Sequence, residues 1–396
     1  MKIIISAFTL FILICIQTIS AQILTKEDSL NAGLVRSTNP TVLSGYGNVR
    51  YQRNITNKES ILNVDRIVLF VGHRFSKKIA FFSELEIEDC KIAGGESGGE
   101  FAMEQAFLKF DINSNNYITT GLFIPRIGII NENHLPTTFN GNERPFVENY
   151  LIPATWREIG VGYYGTSSRI QGLNYSASLM NGLDASKFEK GDGFRGGRFE
   201  GRNANANALA LNGALLYYRG GLRYQISGYY GGSTGITNIA SDSTGLKNSA
   251  FSNAVSVLES NVQYRFHGFT LKMLAAYVHF NNAFGINQAY KNDTPESIFG
   301  AYGELGYNLL QKTEKNLTLF TRYENLNMNM KLPSNVARDE SINRQYLVSG
   351  ITFQPHKGVS IKFDYYCLLT GASNPSPSQS VYNKQNIINL GVGYSF

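Results

Sequence analysis

Sixteen stretches of this chain alternate apolar with polar residues, and the links between them switch regularly between tight turns and long loops. Side chains of a β-strand point alternately to opposite faces, so each stretch has one apolar face and one polar face. The stretches fall near 43–53, 62–75, 78–89, 102–112, 116–124, 158–166, 169–180 and 206–218, then 222–232, 254–266, 269–280, 298–308, 316–327, 343–354, 358–370 and 385–396. Most reach the roughly 9–11 residues that a tilted strand needs to cross a bilayer. Links after even strands are short, as at Ser76-Lys77, Ser167-Ser168 and His267-Gly268. Links after odd strands are longer: 54–61, 90–101, 125–157, 181–205, 233–253, 281–297, 328–342 and 371–384. Such sorting of loops is the two-sided asymmetry of an outer-membrane barrel, and an even strand count leaves both chain ends on one side. A soluble β-sandwich gives no reason for it. The expected fold is therefore all-β, a transmembrane antiparallel barrel of about sixteen strands.

Both ends of the chain agree. The final segment, Asn386 to Phe396, sets Ile388, Leu390, Val392, Tyr394 and Phe396 on one face against Asn389, Gly391, Gly393 and Ser395 on the other. A barrel in lipid needs such a last strand, because an open edge leaves backbone groups unpaired in hydrocarbon. Tyr394 and Phe396 are read as the assembly signal, and barrel-assembly machinery as a partner. At the other end, Met1-Lys2 precedes the apolar run Ile3 to Ile19 and the small-residue exit Ser20-Ala21. This pattern is a secretory signal peptide cut after Ala21. The organisation is then signal peptide 1–21, a short periplasmic segment 22–42 and the barrel 43–396. Of three cysteines, Cys15 would leave with the leader, and Cys90 and Cys367 could form at most one bridge.

Composition excludes other classes. No later run approaches the roughly 20 consecutive apolar residues of a membrane helix. Aromatic residues make up 12% and charged residues only 17%, a balance that suits aromatic girdles around a barrel. The formal net charge of +6 is too small and dispersed to argue for nucleic acid.

Polar faces within the strands carry ions. The strand 78–89 aligns Glu84, Glu86 and Glu88, and 358–370 aligns Ser360, Lys362 and Asp364. Charge at the bilayer midplane costs roughly 2–4 kcal/mol, so these faces look inward. Arg223, Arg265, Lys272, Arg322 and Lys362 facing Glu84, Glu259, Glu304 and Glu324 are expected to form the charged wall of a water-filled pore. The 125–157 link is long for a structureless segment. Its Ile127, Ile129, Ile130, Phe139, Phe146 and Trp156 suit folding inward against the wall. Its ions, Arg126, Arg144 and Arg157 with Glu132, Glu143 and Glu148, become a constriction that filters solutes; the alternative is that they pair and only hold the loop.

The segments Gly121-Leu-Phe-Ile-Pro-Arg-Ile-Gly128, Asn142-Glu-Arg-Pro-Phe146 and Pro153-Ala-Thr-Trp-Arg-Glu-Ile-Gly160, with Glu104 to Leu108 upstream, resemble the phosphate-selective porin O and P family. The resemblance implies a sixteen-stranded, trimeric porin whose third long loop enters the pore. It also implies anion binding by basic residues of that loop and of the wall. In this chain the loop holds three arginines, no lysine and three glutamates.

Other patterns carry less. Gly94 to Gly99 lacks the ending of a phosphate loop. Asp111 to Asn115 lacks the Gly and Glu of a calcium loop. The loop 181–205, with Lys187, Lys190, Arg195, Arg198 and Arg202, reads as a solvated surface loop contacting lipopolysaccharide or a neighbour, the alternative being that it collects anions at the mouth. The five histidines are scattered and give no metal site, and no cofactor or catalytic grouping is expected. The expected function is passive diffusion of small hydrophilic solutes across the outer membrane of a Gram-negative bacterium, with a weak preference for anions such as phosphate. The alternatives are a plugged barrel that binds or adheres through its outer loops, and an outer-membrane hydrolase.

Overall fold

A computed structural model describes residues 39–89, 101–371 and 383–396. Sixteen strands run in chain order: β1 (Thr41–Asn54), β2 (Glu59–Arg74), β3 (Ile79–Glu88), β4 (Phe101–Asp111), β5 (Asn116–Phe123), β6 (Glu158–Thr166), β7 (Leu173–Asn181) and β8 (Leu209–Arg219). They continue as β9 (Leu222–Gly231), β10 (Val255–Phe266), β11 (Phe269–Phe280), β12 (Ser297–Asn308), β13 (Asn316–Lys331), β14 (Asn343–His356), β15 (Val359–Thr370) and β16 (Lys384–Ser395). Each pairs antiparallel with its neighbour in sequence, and β16 returns to pair with β1, closing the barrel. Tyr46 lies opposite Ser395 and Arg53 opposite Ile388 along this seam. At its end, the Phe396 amide donates to Gly45 O at 2.9 Å and Gly45 N donates to Phe396 O at 3.2 Å. Closure of this kind satisfies the edge groups that hydrocarbon would leave unpaired. No helix among the described residues is long and apolar enough to cross a membrane.

The two faces follow the sequence alternation. On β15, Ile361, Phe363 and Tyr365 are exposed on the outside, while Ser360, Lys362 and Asp364 are buried within. On β9, Tyr224, Ile226 and Tyr230 point out, and Gln225, Ser227 and Tyr229 point in. Exposed Leu, Ile, Tyr and Phe recur on the outer face of strand after strand, far more apolar surface than a water-soluble monomer tolerates.

Several boundaries differ from the sequence reading, three of them with a clear local cause or consequence. The first odd-to-even link is a tight turn, 55–58, because β1 and β2 both run past their expected ends. β7 begins at Leu173 and not at 169, since the Ser167 hydroxyl accepts from the amides of Arg169 and Ile170, closing a turn that ends on Gly172 at φ +86°. β13 continues to Lys331, where the alternation Leu-Asn-Met-Asn-Met-Lys extends the strand beyond 327. Cys90, and with it the Cys90–Cys367 bridge, lies outside the described residues, as do the 94–99 glycine run and residues 1–38.

The seam yields a prediction. Removing Phe396 takes away both terminal backbone bonds to Gly45, and the expected result is a sharp loss of heat-modifiable, folded barrel in membranes. The pores that still form should keep wild-type ion selectivity, measured as reversal potential.

Candidate functional site

The link between β5 and β6, residues 124–157, folds into the barrel and is buried along most of its length. It leaves the long-loop end and descends until Thr137 lies beside Ser395, with the two hydroxyl oxygens 3.1 Å apart at the short-turn end. Gln354 of β14 donates to Thr137 O at 2.6 Å. The loop then climbs back. Asn140 donates to Glu304 of β12 at 2.9 Å, Lys362 of β15 donates to Gly141 O at 2.8 Å, and Asn142 donates to Asp364 at 2.6 Å. Glu143 meets Arg50 of β1. A short helix, Phe146–Tyr150, follows; its Val147 amide donates to Glu324 of β13 at 2.9 Å. Phe146 stacks on Tyr346 with ring centroids 3.9 Å apart and meets Tyr366 edge-on.

Glu148 organises the loop internally. Its carboxylate accepts from the amides of Ile129 and Ile130 at 2.8 and 2.7 Å, and from the hydroxyl of Tyr302 on β12 at 2.6 Å. Burial pushes this carboxyl above its ordinary range even against those three donors. Behind it, Ile127, Ile129, Val147, Leu151, Ile152 and Trp156 form one apolar cluster with inward side chains of β9 to β13. The seat is shaped by small residues. A Cβ on Gly393 would lie 2.7 Å from Pro136, one on Gly391 2.0 Å from Asn142 Oδ1, and one on Gly300 3.0 Å from Val147. The glycine face of the last strand is therefore the surface against which the loop packs.

These contacts reassign the expected wall charges. Glu84, Glu259, Glu304, Glu324, Arg322 and Lys362 are buried and do not line an open pore, because the loop covers them. Cations and acids stand side by side on neighbouring strands. Lys272, Glu304 and Arg322 are register partners across β11, β12 and β13, and Arg322 reaches Glu304 at 3.1 Å and Glu324 at 2.8 Å. Glu259 accepts from Ser227, Gln225 and Asn261. Arg265 is exposed beside the tight turn 267–268.

Two groups of ions keep contact with water on either flank of the loop. One holds Arg126, which pairs with Glu132 at 2.8 Å, and Arg223, which meets the same carboxylate. Their side chains are 12–16% exposed. Burial would pull the Arg126 guanidinium down, but Glu132 beside it drives it above its ordinary value. The other holds Arg50 with Asp65 and Glu143, at 14–24% exposure. Arg144 and Arg157 are buried. Arg157 pairs with Glu200 at 3.0 Å and ties this loop to the next. Burial, with Arg66 nearby, pulls the Arg144 guanidinium below its ordinary value against the attraction of Glu104 and Glu86.

The second long loop, 182–208, keeps Lys187, Arg195 and Arg202 exposed, as expected of a solvated loop, but it is anchored inward. Phe188 and Phe194 are buried against Phe280, and Phe194 also against Trp156. Lys190 pairs with Asp293 at 3.5 Å and Arg198 with Glu200 at 2.8 Å. Its two inward phenylalanines outweigh a Gly-rich, charged composition.

Sequence reasoning missed one convergence. His134 of the loop meets Glu84 of β3 and Glu104 of β4, each at 3.8 Å, with the edge of the Tyr46 ring beside it. Burial lowers the imidazole pKa, while Glu104 and Glu84 raise it, and the net shift is upward. Only the path of the loop brings these residues together, so strand periodicity alone could not reveal the group.

No family model matches the chain. A protein of Aquifex aeolicus (strain VF5) described as an uncharacterized protein is 29% identical over 338 residues, 82% of this chain and 74% of that protein. Among solved structures, the anion-selective porin from Comamonas acidovorans aligns with TM-score 0.53 and 13% identity, over 90% of this chain and 99% of that one. Salmonella typhi OmpF, solved in complex with daunomycin, gives 0.58 and 12%, over 90% and 97%. The outer membrane channel DcaP of Acinetobacter baumannii gives 0.53 and 13%, over 90% and 97%. At such identities the likeness is one of fold.

Two predictions follow from the loop contacts. Glu148→Ala orphans three buried donors and should lower stability by about 3 kcal/mol or more, read as a fall in the thermal unfolding midpoint with the barrel still assembled. Gly393→Leu should displace the loop from β16 and make the 134–140 segment cleavable by added protease, whereas Gly213→Leu, where only Ser176 O comes within 4 Å of an added Cβ, should leave it protected.

Proposed function

We propose that the protein is an outer-membrane porin that lets small hydrophilic solutes diffuse passively past the infolded 125–157 loop. The observation that carries this reading is the loop crossing the lumen of a closed sixteen-strand barrel with ionised groups in contact with water on both flanks. Size exclusion comes from the loop. Charge selection comes from the groups that reach water, namely Arg126, Glu132 and Arg223 on one side and Arg50, Asp65 and Glu143 on the other. The first group carries one more arginine than glutamate and the second one more acid than arginine, so Arg265 and Lys272, toward the end of the first group, carry the weak preference for anions, phosphate among them. The relation to the phosphate-selective porin O and P family belongs to this proposal, and so does a homotrimeric assembly. Residues 1–21 act as an export signal removed after Ala21, 22–42 form a short periplasmic segment, and 43–396 form the barrel. Tyr394 and Phe396 are read by barrel-assembly machinery, and the exposed apolar belt and outer loops face lipid and lipopolysaccharide.

A second reading is a barrel closed by its loop that works through its outer loops. The burial of most wall charges favours it. Planar-bilayer recording separates the two. The porin reading expects steady unit conductance, raised several-fold when 126–156 is replaced by a short Gly-Ser link. A silent wild-type protein that conducts only after this replacement would support the plugged barrel. In a salt gradient the reversal potential should indicate a weak anion preference, shifted toward cations in the Arg126→Gln, Arg223→Gln double variant; better permeation of cations through wild type would reject the anion assignment.

A further inference from the structure

We propose that Glu84, Glu104 and His134 bind a divalent transition-metal ion that staples the 125–157 loop to the barrel wall. The three candidate ligand atoms lie within 4.8 Å of one another and all three residues are buried, with His134 4% exposed and both glutamates fully covered. The distance from His134 Nε2 to each carboxylate, 3.8 Å, is too long for a hydrogen bond. It matches two ligands that each stand roughly 2.0–2.2 Å from a shared ion. Neither ring nitrogen of His134 has a hydrogen-bond partner, and neither has Glu84 Oε1 or Glu104 Oε1. Buried polar atoms are nearly always satisfied, so His134 Nε2 and Glu84 Oε1, both without a partner and 3.8 Å apart, call for a ligand between them.

The wall is built for the purpose. Between β3 and β4 the register shifts at Glu84/Leu85, so that Glu84 faces Gln105 and Leu85 faces Met103. Glu104 is the extra residue, and both it and Gln105 reach inward. A bulge that re-aims a side chain in this way is a local device of the strand. Surrounding donors then fix the carboxylates. The Tyr46 hydroxyl donates to Glu104 at 2.9 Å and the Gln105 amide to Glu84 at 2.6 Å, the kind of support that orients metal ligands. Charge points the same way. Acidic side chains outnumber basic ones around the site, Glu84, Glu86 and Glu104 against Arg66 and Arg144. One imidazole with two carboxylates suits zinc, manganese or ferrous ions better than calcium or magnesium.

Metal binding rests on this geometry alone; its effect on conduction rests on the loop being the constriction. The test uses metal-stripped, folded protein in detergent, titrated with Zn²⁺ by calorimetry and with Co²⁺ by its visible absorption. One equivalent per chain is expected, with a cobalt spectrum that reports nitrogen ligation and a Zn²⁺-dependent rise in the unfolding midpoint. His134→Gln and Glu104→Gln, checked for heat-modifiable migration, should each lose that equivalent and the rise. Failure of wild type to bind one equivalent would overturn the proposal without any variant. Equal binding by folded His134→Gln would overturn it as well, because the metal would then sit elsewhere. Binding in a protein silent in bilayers would keep the staple and remove only the porin reading.

Discussion

The pairing of β1 with β16 is the constraint on which the rest depends. A sheet of sixteen strands facing hydrocarbon has no tolerable edge, since each unpaired amide or carbonyl there costs several kcal/mol. Closure fixes a lumen, and a lumen of this size is wider than its own side chains can fill. Something has to occupy it, either water or chain. In this protein much of it is chain: the 124–157 link crosses to β1, β3, β4, β9 and β12 to β16 before it returns to β6.

The wall charges take their meaning from that occupation. Taken alone, Glu304, Arg322, Glu324 and Lys362 would be the lining of an aqueous channel. Covered by the loop, they become the groups that pair its backbone: Lys362 receives Gly141 O as its partner, Glu324 accepts the Val147 amide, and Arg322 reaches the carbonyls of Asn140 and Glu143. Buried ions of this kind contribute little net stability over apolar packing, but removing one partner leaves an uncompensated charge. They therefore fix where the loop lies more than how stable the barrel is. On the porin proposal, selectivity is left to the few ions that still touch water.

Much of the fold was legible in the sequence because a strand writes its two environments with period 2. The inward faces of β3 and β15 follow from the alternation of 78–89 and 358–370, and the seam follows from the alternation of 386–396. The site was less legible. Which charges the loop would cover depends on contacts between residues far apart in sequence, such as Asn142 with Asp364, 222 positions away, and no local pattern encodes them. The inward face of the last strand shows the limit best. Asn389, Gly391, Gly393 and Ser395 looked merely small and polar, and only the structure shows them as the bed of the loop. The histidine cluster was hidden for the same reason, and the inward anchor of the loop 182–208 lies in two phenylalanines that its charged, Gly-rich composition does not single out.

The central claim is that residues 125–157 lie inside the barrel down to its short-turn end. The most direct test is a disulfide between loop and wall, with Thr137→Cys and Ser395→Cys introduced where the native hydroxyl oxygens are 3.1 Å apart and Cys90 and Cys367 replaced by serine. The account predicts that the bond forms in the folded protein and that unit conductance is the same before and after reduction. Two thiols that remain free and open to alkylation in the folded barrel would contradict it.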